Sequence, residues 1–331
     1  MKNSAILLLI VIIFSTTCQK PTSQDQNSSI SSDIISDNIL PFKPENLSPR
    51  KMVTLSSGNI RAVFVDNSAY GENHRAGYNG IAELRHKSQD SSVFVPFYAG
   101  FNLEHIFGGD SLQQLFEPRI HPMKLYQISE NEVLLYQSPT PLSHVESQTV
   151  FKLVEPHYID ISFRFIIYEE TFFRHGFAGL FWASYINNPS DKKIYFTGID
   201  KNSDSVRWID AYSKEHGLNS THTSIHDKND IYFAPNFNAT LASHFSDYNF
   251  DQPFYYGRFH NMILAYMFDP AEGIRFSQSP TGGGEFNPAW DFQYLVPDFK
   301  TGQIYSFRVR MIYKKFEGSE DVLAEYQHWR E

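Results

Sequence analysis

Along most of the chain, apolar and polar residues alternate in short runs, the period of strands with one buried face. Tyr305, Phe307, Val309 and Met311 fall on one side of such a run, and Ser306, Arg308 and Arg310 on the other. Residues 149–154 and 158–165 read as paired strands turned by Glu155-Pro156-His157. Further strands are expected at residues 60–65, 92–98, 132–136, 193–198, 206–209, 231–234, 260–268, 274–277 and 290–296. Helical spacing is convincing in one place. Val322, Leu323, Tyr326 and Trp329 form an apolar stripe behind Ser319, the expected N-cap. Glu320 and Asp321 follow it, where acidic groups meet the positive end of the helix dipole. Many strands, irregular loops and no strand–helix alternation predict an all-β fold. Two large antiparallel sheets would pack face to face, with a short C-terminal helix.

The first residues break this pattern. Met1-Lys2-Asn3-Ser4 precedes an uninterrupted apolar run at 5–14. One positive charge before such a run is the shape of a signal peptide. The run falls short of the about 20 apolar residues of a spanning helix. Ser15, Thr16 and Thr17 lead into Cys18, the only cysteine in the chain. Residues 1–17 are therefore expected to be a signal peptide, with Cys18 the site of lipidation. Acyl chains contribute roughly 0.8 kcal/mol per buried CH₂, and more than one chain holds stably. The segment resembles a bacterial lipobox, but Ser15 and Thr17 stand where that motif prefers Leu and a Gly or Ala. Ordinary cleavage and a soluble secreted protein is the alternative. Residues 18–47 are rich in Ser, Gln, Asn, Asp and Pro and read as a flexible lipoprotein tether. Residues 48–331 form a single expected domain, held at the cell envelope on a periplasmic or external face.

Composition narrows the function. The formal net charge is −9, which argues against nucleic acid as a partner. The 29 Phe and 19 Tyr point to a large aromatic core that must hold without disulfides. No P-loop, nucleophile elbow, paired metal-binding cysteine or His-Glu-x-x-His is present. No metal or cofactor is called for.

Three stretches carry a resemblance: Asn102-Leu103-Glu104-His105-Ile106-Phe107-Gly108-Gly109, the segment 285–292, and Pro297-Asp298-Phe299-Lys300-Thr301-Gly302-Gln303-Ile304-Tyr305 running into the last long strand. Together they resemble the galactose-mutarotase-like supersandwich. Residues 77–80, 116–119, 181–187 and 287–292 also resemble a group of exported bacterial proteins of that fold. The resemblance implies a carbohydrate ligand and, in an enzyme, acid–base chemistry like that of an aldose epimerase. Mutarotases use a carboxylate base on the O1 hydroxyl and a histidine acid on the ring oxygen. Glu285 fits the late carboxylate and His105 the early histidine; His175 and His222 compete for the middle place. His260 is a further candidate for proton transfer. Arg119 and Arg258 suit carboxylates and vicinal hydroxyls, with His121 and Tyr185 as further ligand contacts. Trp182 and Trp290 are candidate sugar platforms, Trp208 a weaker one. Whether the protein is an enzyme stays open. A non-catalytic glycan-binding module is one alternative. A glycoside hydrolase or polysaccharide lyase acting on an acidic glycan through His, Tyr185 and Arg119 is the other.

Overall fold

The computed structural model describes residues 46–331 except 70 and 204. The expected signal peptide, Cys18 and nearly all of the expected tether lie outside the described residues. Local alternation governs the best-formed ladder. β7 (Val145–Val154) and β8 (Tyr158–Ile167) pair antiparallel along their whole length around the 155–157 turn. On β8, Ile159, Ile161, Phe163, Phe165 and Ile167 are buried while the residues between them are half-buried. β18 (Ile304–Lys315) pairs with the other side of β8. Its Phe307, Val309 and Met311 join the core. Its opposite face carries Arg310, which binds Asp160 through two hydrogen bonds of 2.7 Å.

The other strands extend this ladder both ways: β4 (Asn102–Phe107), β5 (Met123–Gln127), β6 (Glu132–Gln137), β9 (Phe177–Ala183), β10 (Ile194–Asp200), β11 (Arg207–Ala211), β12 (Thr221–Ser224), β13 (Phe245–Phe250), β14 (Phe254–Phe259), β15 (Met262–Asp269), β16 (Ile274–Ser279) and β17 (Ala289–Pro297). They form one hydrogen-bonded 15-stranded sheet in the order β4-β9-β17-β16-β12-β13-β10-β14-β15-β18-β8-β7-β6-β5, with β11 on β10. All pairs are antiparallel except β12–β13. A separate three-stranded sheet holds β1 (Met52–Ser57), β2 (Ile60–Val65) and β3 (Gly80–His86).

The long sheet folds back on itself to give two facing layers. Trp182 on β9 and Phe292 on β17 stack at 5.0 Å near one end of the order. Trp182 also meets Phe163 on β8 at 4.8 Å and Phe307 on β18 at 5.2 Å, from the far part of the order. The sandwich expected from the sequence is therefore present, its layers continuous by hydrogen bonding. The three-stranded sheet packs against the same core, with Phe64 on Phe151 at 5.1 Å.

Some expectations need correction. Residues 92–98 and 231–234 form no strand; Phe94 makes a single bridge to Ile186, and Pro96 cannot donate to a ladder. Trp182 and Trp290 are 1% and 0% exposed, so neither is a sugar platform; burial of so large an apolar surface outweighs exposure. Trp208 is half-buried and donates its indole N–H to Glu320. The C-terminal helix spans Ser319–Arg330, with Gly318 at the N-cap position and no side-chain cap. The Ser319 hydroxyl pairs with that of Tyr256 instead, at 2.7 Å. The helix buries Val322 and Tyr326, and Tyr326 stacks on Phe254 at 5.0 Å, covering the outer face of β14 and β15. No helix among the described residues is long and apolar enough to cross a membrane.

Candidate functional site

The site begins with a β-bulge. Against β9, Leu103 pairs with Trp182 and His105 pairs with Phe181, which leaves Glu104 as the extra residue. Leu103 and Ile106 enter the main core. The bulge lets two consecutive residues, Glu104 and His105, turn to the other side of the sheet. A buried amide network holds the bulge. Asn79 Nδ2 donates to Asn102 Oδ1 (2.8 Å) and to the Leu103 carbonyl (3.1 Å), and the Leu103 amide donates to Asn79 Oδ1 (3.1 Å).

Arg119 reaches the same point from a single helical turn, α1 (Glu117–Ile120). Side chains on neighbouring segments bind its carbonyls. Asn67 Nδ2 donates to Pro118 O (3.1 Å) and Arg119 O (3.2 Å), and Gln137 Nε2 to Pro118 O (2.8 Å). Glu117 caps the amide of Leu142 at 2.7 Å. Gly77 passes beside this turn with φ +94°; a Cβ there would meet the Arg119 carbonyl at 3.2 Å. Glycine is the residue that accepts both conditions. The guanidinium lies 4.0 Å from the centre of the Tyr78 ring.

Glu104 collects these groups. Its Oε2 accepts from Asn102 Nδ2 (2.9 Å), Arg119 Nη1 (3.3 Å) and the Tyr185 hydroxyl. Its Oε1 faces His105 Nε2 at 3.4 Å. Burial pushes the Glu104 carboxyl up, but the bond and charge of His105, the Arg119 charge and the Tyr185 bond together hold it below its ordinary value. Burial and the Glu104 charge hold the Tyr185 phenol well above its ordinary value. Asp291 lies behind, accepting the Ser184 amide at 2.9 Å. Burial raises it far above the usual carboxylate range, and Glu104 adds to the rise. Of these two carboxyls, Glu104 is shifted toward its charged form and Asp291 toward its neutral form.

A hollow of about 150 Å³ opens beside this cluster. Glu104, His105, Phe116, Phe181 and His216 line it with the 238–242 segment. The His105 ring sits 5.1 Å from Phe116 and 5.5 Å from Phe181. Its Nδ1 bonds the Leu115 carbonyl, which can only accept, so Nδ1 is the donor and Nε2 is left toward Glu104. His216 Nδ1 is 2.9 Å from Ser279 Oγ. Burial lowers the His216 pKa from its ordinary value, with Glu104 opposing, so the ring is neutral at neutral pH. At roughly 30 Å³ per water in the liquid, the hollow matches about five waters. It is far smaller than the roughly 300–1,000 Å³ of drug-sized pockets.

Of the residues expected from the sequence, His105, Arg119 and Tyr185 meet at Glu104. The others do not join them. Glu285 is exposed, and what its loop binds is its carbonyl, which accepts Lys192 Nζ at 2.6 Å. Its loop runs beside Tyr185: a Cβ added at Gly283 would sit 3.4 Å from Tyr185 Cβ, and Tyr185 bridges Ala289 just after the loop. His175 pairs with Asp110 at 2.9 Å beneath Tyr232. His222 is fully enclosed, bonded to Ser246 (2.6 Å) and Gln278 (2.9 Å), and burial lowers its pKa to about 3. It is a structural core histidine. His260 is exposed at the β14–β15 turn with φ +55°. Arg258 lies on the Phe316 ring at 4.4 Å. The His121 ring is half-buried, and its carbonyl helps fix the turn after α1 through Gln137 (2.9 Å). Glu104, His216, Asn79 and Asn102 were not among the expected site residues. Among the described residues no group of three or more His, Cys, Asp or Glu is arranged to hold a metal.

No protein-family model matches this chain, and no curated protein sequence matches it. Solved structures do. An Escherichia coli K12 protein provisionally described as an aldose 1-epimerase shares 9% identity over 80% of this chain and 99% of its own, with a TM-score of 0.45. An aldose epimerase homologue from C. elegans shares 6% identity over 80% of this chain and 99% of its own, with a TM-score of 0.48. A mutant of the heparan sulfate lyase HepC from Pedobacter heparinus shares 12% identity over 83% of this chain and 38% of its own, with a TM-score of 0.42. These likenesses concern strand architecture, and no residue role is taken from them.

Proposed function

We propose that the domain binds a single carbohydrate residue in the hollow beside Glu104, and that His105 and His216 move protons on it. The observation that carries this reading is the bulge. It sets a charged carboxylate and an imidazole side by side in the wall of a hollow of about 150 Å³, which a second imidazole, lowered in pKa by burial, also lines. Phe116 and Phe181 supply apolar walls, the mixture a sugar ring fits. The ligand class comes from the mutarotase-like resemblance of the sequence. Arg119 and Glu104 neutralise one another, so Glu104 acts as the anchor that orients His105. His216, kept neutral, is suited to accept a proton from a hydroxyl.

Two observations weigh on the alternatives. A lyase that used Tyr185 rather than a histidine as its base is disfavoured, since burial and Glu104 hold the phenol proton on. A binding-only role is favoured by one fact: both Glu104 oxygens already have protein partners. Saturation-transfer NMR with a monosaccharide panel, followed by anomer-exchange NMR on those that bind, separates the two. With His216→Gln, exchange is expected to fall about 100-fold while stability changes by less than about 1 kcal/mol. Binding without any exchange in the wild type would leave only the module. Equal exchange in the variant would remove His216 from the chemistry.

We also propose export and anchoring through a lipid on Cys18, supported by the apolar run at 5–14 and the lone cysteine behind it. Metabolic labelling with a fatty acid tests this, with Cys18→Ser as the control. Label that persists in that variant would exclude the anchor.

A further inference from the structure

A second hollow lies at another corner of the fold, where three turns converge. The β1–β2 turn docks on the β7–β8 turn through the Asn59 amide and the Pro156 carbonyl, at 2.6 Å. The segment after β3 joins them through the Lys87 amide and the Asn59 carbonyl, at 2.9 Å. The space between measures about 380 Å³. Asn59, His86, Ser88, His157, Lys314 and Lys315 line it, with Glu317 as the one carboxylate in its wall. It is separate from the Glu104 site: β3 runs from Gly80, whose added Cβ would touch the Phe101 carbonyl just before β4, to His86 at the hollow. At about 3.3 Å per residue, that strand spans roughly 20 Å.

The wall is rich in donors whose orientation is set. His86 Nδ1 accepts the Ser88 amide at 3.0 Å, so in the neutral ring the proton sits on Nε2. Nε2 makes no hydrogen bond among the described residues. Lys315 is exposed, and no described carboxylate lies within 4.0 Å of its ammonium. Lys314 is already paired with Asp321 (3.0 Å) and Glu325 (2.7 Å), and His157 faces Glu325 at 3.7 Å. The uncompensated positive charge therefore belongs to Lys315 and to exposed Lys87 beside it. Burial first, and then His157, Lys315 and Lys87, push the His86 imidazole down from its ordinary value. Lys315 and Lys87 thus outnumber Glu317, the one carboxylate in this wall, on a chain whose net charge is −9.

We infer that this hollow binds an oxyanion, the sulfate or carboxylate of an acidic glycan or a free inorganic oxyanion, through His86 Nε2–H and the Lys315 ammonium. Such an anion would gain charge-assisted hydrogen bonds from donors with no partner among the described residues. The inference does not rest on the reading of the Glu104 hollow.

The test follows the histidine side-chain resonances of the intact domain during titration at constant ionic strength. Three probes are used: sodium sulfate, a sulfated disaccharide and a uronate monosaccharide, with sodium chloride as the reference. Saturable shifts at His86 and His157, with His216 unmoved, are expected for at least one oxyanion. Saturation with sulfate alone identifies a free oxyanion, and tighter binding of a sugar identifies the glycan. Lys315→Ala, at an exposed position the fold tolerates, is expected to weaken binding at least tenfold; His86→Gln should do the same. Shifts no larger than those with chloride would overturn the assignment. So would affinity unchanged in both variants.

Discussion

Two carboxylates in this molecule gather the same kinds of partner. Glu104 holds a tyrosine hydroxyl, a histidine and an arginine. Glu325 holds the Tyr158 hydroxyl (2.9 Å), His157 (3.7 Å) and Lys314 (2.7 Å). Their surroundings differ. Glu104 sits on a bulge within the sheet, beside a hollow lined by aromatic rings and a second imidazole. Glu325 sits on the C-terminal helix and ties it to β8 and β18, next to a hollow lined with cations. The same chemical parts thus line a hollow in one region and tie a helix to the sheet in the other. The lining of the neighbouring hollow distinguishes them more than the list of partners does.

The largest break in this comparison should come from Glu104→Gln. The Arg119 side chain is only 14% exposed and would lose its counter-charge. Breaking such a buried pair costs about 3–5 kcal/mol, which urea unfolding at neutral pH would register, together with loss of ligand binding. A stability change under about 1 kcal/mol would mean the cluster is far more solvated than its geometry implies.

Glu325→Gln should cost less, about 1–2 kcal/mol after allowance for its partial exposure, and should leave the Glu104 hollow unaffected. Its pH signature is distinct. The nearby His157 imidazole leads the causes that hold the folded carboxyl at about 2, against an ordinary 4.5. A depressed carboxyl stabilises the fold above the unfolded value, and that contribution is lost as the pH falls from about 4.5 to about 2. Thermal melts across that window should show a shallower acid limb in the variant. An identical limb in both proteins would contradict the assignment.

The smallest effect is expected at Glu285. Its side chain is exposed, so Glu285→Gln should change stability by less than about 0.5 kcal/mol and leave ligand affinity unaltered. A tenfold loss of affinity would move the carboxylate of the site back to Glu285 and sharpen the comparison against Glu104.

Parts of this architecture were legible in the chain. The β7–β8 hairpin and the β18 face follow from alternation, since one-sided burial imposes a period of two. The C-terminal helix follows from its apolar stripe, although its expected cap does not form. At the site, Arg119, His105 and Tyr185 could be nominated from their chemistry and the resemblance. Glu104 could not. Next to His105 in an alternating strand it would point the opposite way, and only the bulge reverses that. His216 lies more than a hundred positions from His105, on a segment with no strand period of its own. Trp182 and Trp290 look like ligand platforms in a sequence because residue type carries no record of burial.

The sequence by itself determined the class of the fold, its strand periodicity and an aromatic core without disulfides. Those properties are local or compositional, and each is set by neighbouring residues or by totals. The tertiary structure alone decided that one sheet would fold onto itself, that Glu104 would gather Arg119, Tyr185 and His105, and that Glu285 would stay outside. These depend on which distant strands meet and where a single extra residue interrupts a ladder. Burial and charge pairing, which set the state of every candidate group, exist only once those meetings have occurred.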